Sequence, residues 1–180
     1  MGSGRITLYV ATSLDGFVAD EQGGVAWLEA FDGTDEDEGR RSYEAFFESV
    51  DCLVMGSRTY EQVLGFGEWP YGRKPTYVAT NRDLPRATER IEFVSGEIGS
   101  IADDLTSEYD HVWLVGGAAF AGSFLAADRV DEIRLSVVPL LLGDGISLFG
   151  DGTGEHRLAL LDSTEHSNGI VELRCRVGES

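Results

Sequence analysis

Three short segments carry the residue types that hold phosphate esters. Met55 gives way to Gly56, Ser57, Arg58 and Thr59. Val115 gives way to Gly116, Gly117, Ala118 and Ala119. Ala79 gives way to Thr80, Asn81 and Arg82. All three read as strand-to-helix junctions. In the first two, glycine permits close backbone approach, and the following helix offers free N–H groups and the positive end of its dipole. In the first and third, an arginine stands beside hydroxyl or amide groups, and a guanidinium is well matched to a phosphate oxyanion. Together the three could hold a pyrophosphate and a separate phosphate ester; a dinucleotide such as NADPH carries both. Singly they are weak signals. A Gly-Gly after a strand is more often a tight turn, and Arg58 and Arg82 are equally suited to pairing with surface acids. Gly116, Gly117 and Gly122 lack the glycine spacing of the dinucleotide fingerprint, and Lys74 lies outside any phosphate-loop pattern.

The elements that must position these segments follow from periodicity. Strands are expected at Ile6–Thr12, Phe17–Ala19, Asp51–Met55, Thr76–Ala79, Ile91–Val94, His111–Val115 and Glu132–Pro139, with a closing antiparallel pair at Leu158–Asp162 and Ile170–Val177. Helices are expected at Arg40–Ser49, after the Gly56–Tyr60 segment to about Leu64, at Ile98–Ser107 and at Ala118–Ala126. Asp20–Gly39 reads as a long loop holding Trp27 and the acidic run Asp35–Glu38. Alternating strands and helices closed by two strands predict an α/β domain over residues 1–180. Its central sheet is mainly parallel with an antiparallel C-terminal strand, and helices cover both faces in three layers. In such sheets ligands bind at the carboxyl ends of the strands, where the three segments lie.

Composition narrows the partners. Asp plus Glu number 32 against 14 Lys plus Arg, the net charge is −18, and Lys74 is the sole lysine. Such a surface repels nucleic-acid phosphates and anionic lipid, so neither nucleic acid nor membrane is an expected partner. The acids are spread along the chain, which favours a whole-surface adaptation to high salt over one acidic functional face. No apolar run approaches the ~20 residues of a membrane span, and the start lacks the pattern of a secretory signal. Cys52 and Cys175 sit in expected strands without metal-ligand spacing, and His111, His156 and His166 are isolated. No metal site is expected, the histidines receive no role, and a reducing cytoplasm is the expected location.

Taken in order, five motifs carry a resemblance. They are TSLDGFVA (Thr12–Ala19), MGSRTY (Met55–Tyr60), VGGAAF (Val115–Phe120), VDEIRL (Val130–Leu135) and PLLLGDG (Pro139–Gly145). The chain resembles the dihydrofolate reductase superfamily, and within it the branch containing the reductase domain of riboflavin biosynthesis. GVAWL (Gly24–Leu28) and FGEWP (Phe66–Pro70) resemble a subgroup of small standalone proteins. The resemblance implies NADPH lying across the strand ends. Gly56, Ser57, Arg58 and Thr59 match the start of the second cofactor helix. Thr80, Asn81 and Arg82 match the segment near the adenosine and its 2′-phosphate. Gly116, Gly117, Ala118 and Ala119 match the pyrophosphate turn, and Ala11 and Val18 match positions bordering the nicotinamide.

The substrate side departs from dihydrofolate reductase proper. The position of that enzyme's substrate-gripping carboxylate falls near Arg40. Glu44, one turn later, either points into the cleft or is a solvated surface acid. Asp15 matches an acidic position of the riboflavin-type motif and either bonds a substrate or caps its own turn. Trp27 matches a pocket tryptophan or plugs its loop, and Ser136 matches a pocket-facing strand position. Tyr43 and Phe47 supply aromatic walls or plain core.

The expected function is that of an NADPH-dependent reductase acting on a small heterocyclic (pyrimidine- or pterin-like) or carbonyl substrate, with the 5-amino-6-(5-phosphoribosylamino)uracil reductase type ahead. The proton is expected from water near Asp15 or the Asp20–Gly39 loop, and Arg40 and Arg41 are candidates for a ribose phosphate. Dihydrofolate reductase proper, a non-catalytic nucleotide-binding module and a structural domain with a degenerate site are the alternatives. The resemblance also implies a homodimer, with the apolar Leu135–Leu142 segment either at its interface or central to the monomer.

Overall fold

A computed structural model of the chain describes residues 3–31 and 38–178. The strands are β1 (Arg5–Ser13), β2 (Phe17–Ala19), β3 (Cys52–Gly56), β4 (Thr76–Ala79), β5 (Ile91–Val94), β6 (His111–Gly116), β7 (Glu132–Val138), β8 (Ile146–Ser147), β9 (Leu158–Glu165) and β10 (Val171–Val177). The helices are α1 (Glu38–Ser49), α2 (Ser57–Gly65), α3 (Ile98–Glu108) and α4 (Ala118–Ala126), with a 3-10 helix at Ala26–Phe31. Eight strands form one sheet in the order β5-β4-β3-β6-β1-β7-β10-β9, and β2 pairs with β8 in a small second sheet. The pairs from β5 to β7 are parallel, and β10 runs antiparallel to both β7 and β9. This is the α/β architecture with helices on both faces that the periodicity implies.

The residues of β3 explain the layering. Cys52 and Val54 pack with Ile101 and Leu105 of α3 and Phe124 of α4. Leu53 and Met55 point the other way, toward Phe46 of α1 and Tyr60 and Val63 of α2. A strand buried on both faces needs a continuous apolar run, and Cys-Leu-Val-Met supplies one. The opposite case is β9, all eight residues of which are exposed at the sheet edge.

Several expectations are corrected. No helix follows β4; Thr80 to Arg82 lie in a loop, so that junction offers no helix N-terminus. β7 stops at Val138, because Pro139 has no N–H to continue a ladder, and Leu141 in the following loop is 67% exposed. The Leu135–Leu142 segment therefore divides at Pro139: its first part is a central strand between β1 and β10. The Asp20–Gly39 segment is not uniformly loop. Asp20 pins a turn through Gln22 and Gly24, the 3-10 helix follows, and Glu38 already opens α1. Asp35, Glu36 and Asp37 of the acidic run lie outside the described residues. Among the described residues no helix is long and apolar enough to cross a membrane, and no cluster of potential metal ligands forms.

Candidate functional site

The carboxyl ends of β3 and β6 sit side by side, with Met55 in register with Gly116. Gly56 and Gly117 are the N-caps of α2 and α4, and neither helix start has a side-chain cap. The first-turn N–H groups of both helices are thus left for another acceptor. The two turns also interlock. A Cβ on Gly117 would stand 3.2 Å from Thr59 Oγ1 of α2, and a Cβ on Gly56 would stand 3.3 Å from Phe120 Cβ of α4. Gly116 has φ of 130°, a conformation that side chains rarely adopt, and its bond to Gly117 is cis. Bare backbone converging from two uncapped helices is a cradle whose donors suit a pyrophosphate, so Gly56, Ser57, Gly117, Ala118 and Ala119 are the residues that would hold it.

The end of β4 is more crowded. Arg82 donates to both carboxylate oxygens of Glu61, at 3.1 and 2.7 Å. That contact holds the Glu61 carboxyl below its ordinary value and raises the Arg82 guanidinium, with exposed Arg58 adding to the effect on Glu61. Thr80 Oγ1 accepts from Arg82 N at 3.0 Å and shapes the loop, and Asn81 is exposed. A 2′-phosphate at Arg82 has to compete with Glu61, an exposed partner whose hold is modest.

Ala11 and Val18 are half-buried near the strand ends. Asp15 is exposed and fully engaged. It accepts from Ser13 Oγ at 2.5 Å, Gly143 N at 2.8 Å and Leu142 N at 3.2 Å, and the Ser13 bond chiefly holds its carboxyl below the ordinary range. Its observed role is to tie the turn after β1 to the loop after β7.

Beside this cleft, between α1 and the β1–β7–β10 part of the sheet, lies a cavity of about 440 Å³. Ser136 is paired with Ala11 on one side and Glu172 on the other, so one row of the sheet runs from the cleft into the cavity. Tyr9, Tyr43, Phe31 and Ile170 form apolar wall; Arg40, Ser136, Asn168, His166 and Glu172 supply the polar lining. Of the sequence-derived substrate residues, Tyr43, Ser136 and the phosphate candidate Arg40 line it. Phe47 packs into the α1–α2 core beneath Lys74. Glu44 is exposed and paired with Arg40 at 3.2 Å. Trp27 is half-buried on the 3-10 helix, whose Phe31 reaches the cavity instead.

The polar centre of the cavity is a group that sequence reasoning missed. Glu172 is 7% exposed and accepts from Arg134 Nε at 2.6 Å, from Ser42 Oγ at 3.2 Å and from Tyr9 Oη at 3.3 Å. Arg134 also donates to Ser42 Oγ at 2.9 Å, and its guanidinium lies over the rings of Tyr9 and Phe46. Burial, with Glu172 adding to it, pushes the Tyr9 hydroxyl up to about 12. His166, given no role above, lines the same cavity and is 4% exposed. The available signal was Glu172 itself, a charge set inside an alternating strand, buried where its neighbour Val171 is exposed.

Comparison with known proteins identifies the family. The uncharacterized protein YwjB of Bacillus subtilis (strain 168) is 33% identical over 168 residues, 92% of this chain and 94% of that one. A candidate riboflavin biosynthesis protein from Shewanella sp. PV-4 superposes with a TM-score of 0.87 at 30% identity, over 99% of this chain and 100% of that one. The diaminohydroxyphosphoribosylaminopyrimidine deaminase/5-amino-6-(5-phosphoribosylamino)uracil reductase of Thermotoga maritima superposes with a TM-score of 0.73. It is 17% identical over 98% of this chain and 57% of its own, a likeness of fold alone. The model of the RibD C-terminal domain matches residues 5–172, from the start of β1 into β10. By that span, which includes both glycine turns and the cavity strands, the chain belongs to the RibD C-terminal domain family.

Proposed function

We propose that the chain is an NADPH-dependent reductase of the riboflavin-pathway type, with a pyrimidine-like heterocycle as its substrate. The observation that carries the reading is the pair of uncapped helix N-termini at Gly56 and Gly117, opening beside a cavity with aromatic walls. A relative of the same fold is named as a uracil-type reductase, and that name suggests the substrate class. When bound, the dinucleotide supplies a hydride. The chain's own residues do the rest: the two helix starts hold pyrophosphate, Arg58 and Arg82 face the adenosine phosphate, and Tyr9 and Tyr43 wall a planar ring away from water. Arg40 of α1, which lines the cavity, would meet a substrate phosphate there.

The reading is tested by following dihydronicotinamide absorbance with 5-amino-6-(5-phosphoribosylamino)uracil as substrate. Oxidation of NADPH that depends on this substrate supports it. Protection by NADPH without oxidation, across pyrimidine, pterin and carbonyl substrates, supports a nucleotide-binding module instead.

A further inference from the structure

The β9–β10 hairpin has one apolar side. Val171, Leu173, Cys175 and Val177 alternate with Glu172, Arg174 and Arg176 along β10. Cys175 is in register with Ile133 on β7 and Leu160 on β9, and Val177 with Leu158. Residues in register share a face, so Leu158 and Leu160 extend the side on which Ile133 and Val177 join the core beneath α3 and α4. Those helices pack mainly on β1 and β6. Toward β9 the apolar side runs out into solvent: Leu158 is 49% exposed and Leu160 62%. Among the described residues β10 is the one strand partner of β9. Edge strands are ordinarily guarded by charge, proline or a covering element. Leu158-Ala159-Leu160-Leu161 carries neither charge nor proline, and none of it is covered. Its bulge at Leu161 twists the edge but leaves that leucine exposed as well.

What covers this strip follows from its ends. Arg157 precedes β9 and Glu165 closes it, four residues to either side of Leu161, and both are exposed. Asp162, between them, is in register with Arg174 of its own chain. A second copy laid antiparallel across Leu161 brings each Arg157 toward the other's Glu165, so the surface is complementary to itself, as a two-fold contact requires. The uncharged leucine stretch is also where two chains of net charge −18 meet with little repulsion. We propose that β9 and the apolar side of β10 form the interface of a two-fold dimer, with β9 of one copy antiparallel to β9 of the other. The hairpin's opposite face carries Glu172 and its turn carries Asn168 and Ile170, so the contact braces one wall of the cavity from behind. The proposal is independent of which cofactor or substrate the chain binds.

Sedimentation equilibrium tests it. Wild type should sediment at twice the 19.6 kDa chain mass. The dimer should tighten between about 0.1 and 1 M salt, as screening relieves the repulsion between the two chains. Leu160→Lys should be monomeric with an unchanged near-UV spectrum, since the side chain it replaces is exposed. Arg157→Glu and Glu165→Arg should each weaken the dimer by roughly tenfold at about 0.1 M salt, the scale of two exposed ion pairs turned repulsive. An equimolar mixture of these two variants should recover it, because each then meets its opposite charge. Cys52 is fully buried, so thiol labelling of the folded chain reports Cys175, and it should be slower in wild type than in Leu160→Lys. The inference is overturned if wild type stays monomeric at both salt concentrations, which would leave the strip to a foreign protein. It is equally overturned if Leu160→Lys still dimerises, if mixing the charge-reversed variants restores nothing, or if Cys175 labels at the same rate in wild type and Leu160→Lys.

Discussion

Arg134 and Glu172 meet diagonally across the β7–β10 ladder, Nε to Oε1 at 2.6 Å, and Glu172 lines the cavity. Both are largely shielded from water, with side chains 19% and 7% exposed. Such a pair is costly to break from one side, because the survivor keeps its charge without a partner. Arg134→Met should lower unfolding free energy by about 3–5 kcal/mol, and Glu172→Gln should cost less because Gln keeps an acceptor for Ser42 and Tyr9. Denaturant unfolding of both variants and of the double variant checks this. The double variant should be less destabilised than the sum of the two.

Gly117 is fixed by what lies opposite it. Gly117→Ala puts a methyl carbon 3.2 Å from Thr59 Oγ1, at the mouth of the proposed pyrophosphate cradle. NADPH affinity should fall by roughly tenfold or more, on the scale of losing one or two charge-assisted hydrogen bonds. Calorimetric titration reads this directly, and an unchanged affinity would remove Gly117 from the cradle.

Glu61 competes for Arg82. Glu61→Gln should release the guanidinium and strengthen NADPH binding relative to NADH by roughly two- to tenfold at low salt, an effect that screening should erode. Arg82→Ala should lower the preference. Parallel titrations with the two dinucleotides at low and high salt compare the outcomes.

His111 sets an acid limit to stability. Its ring is buried against Thr7 Oγ1 at 2.9 Å, and burial, with Arg5 adding to it, holds it below its ordinary value of 6.5. The folded chain therefore keeps this histidine neutral where the unfolded chain already takes up a proton. The stabilisation is complete above about pH 6.5 and is lost as pH falls through the lower folded value. His111→Asn should flatten that part of the stability profile, as measured by unfolding between about pH 7.5 and pH 5.

The net charge of −18 implies self-repulsion across the surface. Raising salt from about 0.1 to 1 M shortens the Debye length from about 10 to 3 Å, so Tm should rise over that range. A flat Tm would remove the salt-adaptation reading.

Much of the scaffold was legible because its signals are local. Cys52–Met55 announces a doubly buried strand, and β4, β5 and α4 fall at the residues their periodicity marks. The glycine turns were legible as well, since Gly56 and Gly117 directly precede helices. The cavity's polar centre was not. Tyr9, Ser42, Arg134, His166 and Glu172 are scattered over four elements and a turn, and only the β7–β10 register and the packing of α1 bring them together. Asp15 was legible as an acid in a turn but not as the tie to Leu142 and Gly143, which lie over a hundred residues away. Trp27 and Phe31 share one short helix, and no local pattern tells which of them reaches the cavity.

The proposed chemistry needs a dinucleotide held by two uncapped helix starts. Thermal unfolding with NADPH and with NADH, at a salt concentration where the protein is folded, tests it most directly. NADPH at a hundred times its dissociation constant should stabilise the fold by ~2.7 kcal/mol, with a smaller effect from NADH at the same concentration. No shift with either nucleotide would contradict the account and leave a RibD-type fold whose glycine turns hold no cofactor.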